Sequence, residues 1–429
     1  MTGPISSFAD LGLRPVVVHA LRRVGVEVPF PIQSAAIPDA LSGRDILGRA
    51  PTGSGKTLAF GLPLLHRLSG RASRPGRPRG VVLVPTRELA LQIAEALEEP
   101  GRACGIRVSS VVGGVPMKRQ LDGIRRGVDV VVATPGRLQD LVSTTEFSLD
   151  DVEITVLDEA DRMADLGFLP QVESLIDGTP ADGQRMLFSA TLDGDVDILV
   201  ERYLDTPVLH RTDDVPVAHS PVEHYFFRVT HEDKDRVAAA ISARAGSTML
   251  FLRTKHAVDR LTEKLRADGI SAAALHGDKS QAYRAHTLDA FTAGSVPVLV
   301  ATDVVARGID VDAVSLVVHV DPPVDGKDYT HRAGRTGRAG RSGTVVTLLT
   351  ESQELQVAEL MQQAGITAAM VDVGPTSPEL VAATGARRPN GIALSAVERT
   401  TPDTRTRPSS RRSTGSTPGR TRSRRSGRR

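Results

Sequence analysis

Short apolar runs alternate with helix-length segments through most of this 429-residue chain, and the alternation runs through twice. In the first half the strand-like runs are Asp45 to Gly48, Gly80 to Val84, Arg107 to Val112, Val128 to Ala133, Glu153 to Leu157 and Arg185 to Ser189. The second half repeats the pattern at Thr248 to Leu252, Ser271 to Leu275, Val296 to Ala301, Val314 to His319 and Gly343 to Leu349. Strands buried on both faces and joined by helices predict mostly parallel sheet. The expected fold class is α/β, as two tandem domains spanning 1–211 and 221–375. A polar, Pro-containing linker at 212–220 separates them, and a tail follows at 376–429.

The tail carries the basicity. From Arg399 to Arg429 there are eleven Arg and one acid, Asp403, a net +10 against +2 for the whole chain, so the remainder carries −8. Ser, Thr, Pro, Gly and Arg with almost no apolar residues cannot offset the entropy of ordering, and about the last fifty residues read as disordered. Such tails bind polyanions without selecting a sequence. One cysteine, Cys104, excludes an internal disulfide and a cysteine-rich metal site. No apolar run reaches the ~18 residues of a membrane span, and the N-terminus lacks an export signal. A monomeric protein of the cytoplasm is expected.

Two motifs point to nucleotide chemistry. Ala50, Pro51, Thr52, Gly53, Ser54, Gly55, Lys56 and Thr57 fit a phosphate-binding loop between a strand and a helix, Thr57 to Leu68. Glycines let backbone N–H groups curl around phosphates, Lys56 neutralises them, and the Thr57 hydroxyl can ligate Mg2+. Later, Ile154 to Leu157 ends in Asp158, Glu159, Ala160 and Asp161, a strand delivering carboxylates to where a Mg2+ ion and an attacking water would sit. The second half has no phosphate loop but contains His331, Arg332, Ala333, Gly334, Arg335, Thr336, Gly337 and Arg338. Arginines at three-residue spacing are expected on one helical face, as arginine fingers for a nucleotide held by the other domain.

With these residues in place the chain resembles a DEAD-box ATP-dependent RNA helicase of superfamily 2, of bacterial type, from about Phe8 through the second domain. The resemblance implies two RecA-like domains and RNA-stimulated hydrolysis of ATP with Mg2+, coupled to local, non-processive unwinding of RNA duplexes. Gly25, Pro29, Pro31, Ile32 and Gln33 resemble the Q motif, whose amide reads adenine while Phe8 stacks; Phe30 stands where the family usually has Thr. The implied catalytic residues are Lys56, Asp158, Glu159, Arg335 and Arg338. Thr57 and Asp158 would hold Mg2+, largely through water, and Asp310 with Arg307 would meet the ribose.

Pro85, Thr86, Arg87, Gly113, Gly114, Thr134, Pro135, Gly136 and Arg137 match the RNA-facing motifs of the first domain. Thr254, Gly277, Gln281, Arg284 and Thr302 match those of the second, with Lys279 and Tyr283 departing from the commonest residues. Such contacts to the sugar-phosphate backbone are independent of sequence and take single strands or short duplexes. Ser189 and Thr191, with Asp161 and His331, would couple nucleotide state to strand separation. An ATP-gated RNA clamp and a DNA helicase of the same superfamily remain as alternatives.

Overall fold

The computed structural model describes residues 7–51, 53–192, 194–211, 222–303, 314–337 and 342–394. Thr52, Arg307, Asp310, Arg338, the linker at 212–220 and the tail from Ser395 lie outside the described residues.

Seven strands make the first sheet: β1 (Ile46–Arg49), β2 (Gly80–Leu83), β3 (Val108–Val111), β4 (Val130–Ala133), β5 (Ile154–Asp158), β6 (Gln184–Ser189) and β7 (Val208–Arg211). Their order is β3-β4-β2-β5-β6-β1-β7, with every pairing parallel. Side chains alternate between two buried faces. Ile46, Val82, Val130, Val156 and Phe188 pack on one side with Phe60 and Leu64 of the helix Lys56–Leu68. Leu47, Val81, Val131, Leu157 and Leu187 pack on the other with Leu138, Met163 and Val172. Helices on both faces are what runs such as Val-Val-Val-Ala require, since neither side of the strand is polar.

The second sheet repeats the plan with β8 (Val222–Arg228), β9 (Thr248–Phe251), β10 (Ala272–Leu275), β11 (Val298–Ala301), β12 (Leu316–His319), β13 (Gly343–Leu349) and β14 (Met370–Asp372). Its order is β10-β11-β9-β12-β13-β8-β14, again parallel throughout. Doubly wound sheets bind ligands at the carboxyl ends of their strands. In the first sheet β6 lies between β5 and β1, so the turns after β1, β6 and β5 are neighbours. The phosphate loop, Ser189 and the Asp158–Asp161 tetrad are thereby brought to one edge, although they lie far apart in sequence. Among the described residues no helix is long and apolar enough to cross a membrane.

Two expectations are corrected. β7, β8 and β14 were not anticipated; β7 and β14 are short strands at sheet edges, and β8 mixes Glu, His and Arg with its aromatics. The boundary at residue 376 is also wrong. The chain continues into a helix, Pro378–Thr384, whose Leu380 is fully buried among Val237, Ile241 and Leu265. Beyond it, Arg387 N–H donates to Ala240 O (2.9 Å), Gly391 N–H to Asp268 O (3.1 Å) and Leu394 N–H to Arg266 O (3.0 Å). Residues to Leu394 therefore belong to the second domain. Leu380→Ala is expected to lower stability by about 2–5 kcal/mol in denaturant unfolding; a neutral result would return this segment to the tail.

Candidate active site and nucleic-acid interface

The phosphate loop is built on two glycines with positive φ, Gly53 at 82° and Gly55 at 85°. Gly55 is required twice over: a Cβ there would sit 2.4 Å from Gln33 Nε2. That amide donates to Gly55 O (2.9 Å), while its Oε1 accepts from Phe30 N–H (2.8 Å). Gln33 thus caps its own helix and grips the phosphate loop, and one N–H and one oxygen lone pair remain for a base edge. Ser54 Oγ donates to Pro51 O (2.7 Å), which tightens the turn. Lys56 folds back over the loop and donates to Ala50 O (3.0 Å), so its ammonium lies where phosphates would enter. Thr57, half-buried, follows in the first turn of the helix.

Across from Lys56, Asp158 ends β5 with 3% of its surface exposed. Burial pushes its carboxyl up to about 7; Lys56 opposes the shift, and Glu159 and Asp161 add to it. A buried carboxylate this costly to ionise, facing Lys56 of the phosphate loop, fits Mg2+. No group of three or more His, Cys, Asp or Glu forms a metal cage among the described residues. One carboxylate with phosphates and water is the usual donor set for this ion.

The sign of the Asp158 shift makes a prediction. The folded value lies above the ordinary 3.8, so the folded state takes up a proton that the unfolded state does not between about pH 4 and 7. The contribution of this group is thus most favourable below pH 4 and is lost as pH rises to about 7. Asp158→Asn is expected to raise the thermal stability of the ligand-free protein at pH 8, by an amount of the order of a few kcal/mol. The gain shrinks as pH falls toward 4. Destabilisation at pH 8, or a gain independent of pH, would contradict this reading of the site.

Glu159 adopts the left-handed conformation, φ 54°, which turns the chain from β5 into the helix Ala160–Asp165. Its carboxylate lies 3.4 Å from buried Arg162. Asp161 is tied to the turn after β6: Thr191 N–H and Oγ1 donate to its Oδ2 (3.1 and 3.2 Å), and its own N–H donates to Ser189 Oγ (3.3 Å). Burial raises the Asp161 carboxyl, but Lys56, His331, Lys327 and Ser189 together hold it below its ordinary range.

Lys56, Glu159, Asp161 and Arg162 share a narrow cleft with His331 and Arg335 of the second domain. The expected row of arginines on one helical face is corrected. The helix Gly326–Ala333 ends at Ala333, so the arginines diverge. Arg332 turns inward, makes a bidentate pair with Asp303 (2.5 and 2.6 Å), donates to Asp321 O (2.9 Å) and lies over the Phe251 ring. Arg335, past the helix end and 3% exposed, enters the cleft. Phe8 is corrected too: it is 1% exposed, packed against Leu11, Val17, Leu21, Ile37 and Leu62, and presents no open face to a base.

Of the RNA-facing set in the first domain, Pro85 is buried, and Thr86 caps the helix Arg87–Ala96 through Leu89 N–H (3.3 Å). The Arg87 guanidinium lies against Gly113 and Gly114, where any Cβ would come within 2.9 and 2.3 Å of it. Those glycines make room for Arg87 as well as for any phosphate. Arg137 donates to Val112 O (3.2 Å) and Val115 O (2.7 Å), so it holds the glycine loop in place. Thr134 and Pro135 open the helix Pro135–Thr144, and a Cβ on Gly136 would meet nothing within 4 Å.

In the second domain Gly277 is equally open, Thr254 caps the helix Lys255–Ala267, and Thr302 N–H donates to Leu275 O (3.2 Å). Gln281 and Arg284 face the first domain. Both bind Glu88 of the first domain, at 3.1 and 2.6 Å, and Glu88 and Arg284 are each 6% exposed. Glu88 lies in the Pro85–Leu89 motif, and a carboxylate this buried needs the cation that the other domain supplies. Lys327 and Asp165 make a second bridge between domains at 3.1 Å.

Two doubly wound domains, one holding the phosphate loop and carboxylates and the other adding His331 and Arg335, define the class: a tandem RecA-like protein. Residues 30–199 match the DEAD/DEAH box helicase family and residues 233–340 the helicase conserved C-terminal domain. The chain is 40% identical over 337 residues to the ATP-dependent RNA helicase DeaD of Buchnera aphidicola, covering 78% of this chain and 56% of that one. It is 38% identical over 333 residues to CshA of Listeria monocytogenes, covering 77% and 64%. It thus spans less than two thirds of the length of these relatives. Among solved structures, S. cerevisiae Dbp5 bound to RNA and ADP BeF3 superposes with a TM-score of 0.77 at 30% identity, covering 88% of this chain and 97% of that one. Mss116p bound to ssRNA and AMP-PNP gives 0.78 at 26% identity, covering 89% and 82%. The chain belongs to the DEAD-box RNA helicase family.

Proposed function

We propose that this chain hydrolyses ATP in response to RNA and uses the cycle for local, non-processive unwinding of short duplexes, without reading base sequence. The observation that carries the reading is the shared cleft, in which Lys56 and Glu159 of one domain meet His331 and Arg335 of the other. Lys56 neutralises the terminal phosphates, Glu159 orients and deprotonates the attacking water, and Arg335 stabilises charge that develops on the transferred group. Arg338, with Asp310 and Arg307 toward the ribose, completes the set by resemblance. When bound, Mg2+ neutralises phosphate charge, held by Thr57 and, through water, by Asp158. Gln33 offers its remaining donor and acceptor to adenine, which makes the enzyme selective for ATP.

Hydrolysis then requires closure of one domain on the other, and RNA lying across both favours closure. Asp161, with Ser189, Thr191 and His331, passes nucleotide state to the domain interface. Strand displacement of a short RNA duplex with ATP tests this function. The buried Glu88–Arg284 pair, which holds the domains together, favours a second reading as an ATP-gated clamp. ATP turnover and RNA binding with no displacement would select the clamp.

A further inference from the structure

The helix Met117–Ile124 and the turn after it carry cations that the nucleotide cleft does not use. Met117, Gln120, Leu121 and Ile124 face inward, with Ile124 in the core beside Val111 and Val131. Gln120 fixes the first turn to the glycine loop: its Oε1 accepts from Val112 N–H (2.9 Å) and its Nε2 donates to Val112 O (3.0 Å) and Val115 O (3.1 Å). The opposite face is basic. Lys118 and Arg119 lie in the first turn of the helix, and Arg125 and Arg126 follow its last residue, Ile124. All four are exposed, and among the described residues none has an acidic partner.

Arg107 joins them, donating from Nη1 to Arg126 O (2.7 Å). The neighbouring acids do not neutralise the row. Asp129 is buried and accepts from Ser73 N–H and Arg107 N–H, both at 2.9 Å, which leaves Asp122 as the exposed acid of the helix. A second observation concerns Gly123, beside Arg119 on the surface. Glycine inside a helix costs about 1 kcal/mol relative to Ala, yet a Cβ at Gly123 would meet no heavy atom within 4 Å. Nothing within the fold requires glycine there, whereas a backbone lying against the row would.

We infer that this edge of the first domain, from Lys118 to Arg126 with Arg107, is a contact surface for the phosphates of RNA that extends beyond the RNA-facing residues already described. The inference rests on the RNA-binding reading above. Its position supports it: Lys118 follows Gly114 by four residues, and the helix packs on β3, the edge strand of the first sheet, so a strand held at the glycine loop lies beside these cations. Contacts of this kind add affinity without sequence preference and are strongly screened by salt.

The test uses the full chain with Lys118, Arg119, Arg125 and Arg126 all changed to Gln. Binding is measured with a non-hydrolysable ATP analogue to an oligouridylate just long enough to span the RNA-facing residues of the two domains, and to the same oligouridylate extended at both ends. The variant is expected to lose about tenfold or more in affinity for the extended RNA at low salt. The slope of log affinity against log salt should fall by about 2 to 3, at roughly 0.7 per phosphate contact. Affinity for the short RNA, and the ATPase rate it stimulates, stay unchanged.

Asp122→Lys, which adds a cation to the same row, is expected to move affinity for the extended RNA the other way. It keeps the test decisive if the quadruple variant folds poorly. Equal losses on both RNAs, or no loss on either, as an acidic protein partner would give, overturn the inference. If the unaltered chain binds neither RNA, the RNA-binding reading itself fails.

Discussion

Glu159→Gln is expected to lower the rate of ATP hydrolysis by about a hundredfold to ten-thousandfold, the range supplied by a positioned general base. ATP and RNA affinity should stay close to those of the unaltered chain. The separation follows from the geometry. Glu159 occupies a left-handed backbone position that aims its side chain into the cleft, while the groups placed to grip phosphates are Lys56 and the loop around Gly53 and Gly55. An amide has the shape of the carboxylate and keeps its packing near Arg162, but it cannot take a proton from water. Single-turnover hydrolysis and equilibrium binding read the two effects separately. Hydrolysis at the ordinary rate would remove Glu159 from the chemistry.

Arg335→Ala should produce a loss at least as large, about a thousandfold to a hundred-thousandfold if the side chain acts as an arginine finger. In barrier terms this is about 4 to 7 kcal/mol. Arg335 comes from the second domain and is buried in the cleft with Lys56 and Glu159. Its removal should therefore spare ATP binding to the first domain while hydrolysis fails even with saturating RNA. Arg335→Lys should recover only part of the rate, because a point charge cannot reproduce the planar, two-pronged donor. A fall in ATP affinity matching the fall in rate would instead mark Arg335 as a ground-state contact.

Much of this architecture was legible in the sequence because parallel strands buried on both faces leave unbroken apolar runs, such as Val130–Ala133 and Val298–Ala301. The phosphate loop and the tetrad were legible because backbone geometry and ion binding restrict residue type at fixed spacing. What stayed hidden depended on partners remote in sequence. Glu88 finds Arg284 across 196 positions only when the two domains meet. Arg332 and Arg335 look alike at three-residue spacing, yet the helix end at Ala333 sends one to Asp303 and the other to the cleft. Phe8 reads as a stacking ring by resemblance to the Q motif, and sequence does not show the cluster that buries it. The segment after residue 376 reads as tail because it adjoins the Arg-rich end of the chain, but Leu380 and three backbone hydrogen bonds anchor it.

The central claim is that a site completed from two domains makes hydrolysis conditional on RNA. The steady-state ATPase rate of the full chain, measured without nucleic acid, with single-stranded RNA and with single-stranded DNA of the same sequence, tests it most directly. The expected result is a low basal rate raised by at least about tenfold with RNA and little changed by DNA, since contacts to the 2′-hydroxyl separate the two. A rate independent of RNA would contradict the claim, and equal stimulation by DNA would assign the chain to DNA-directed work.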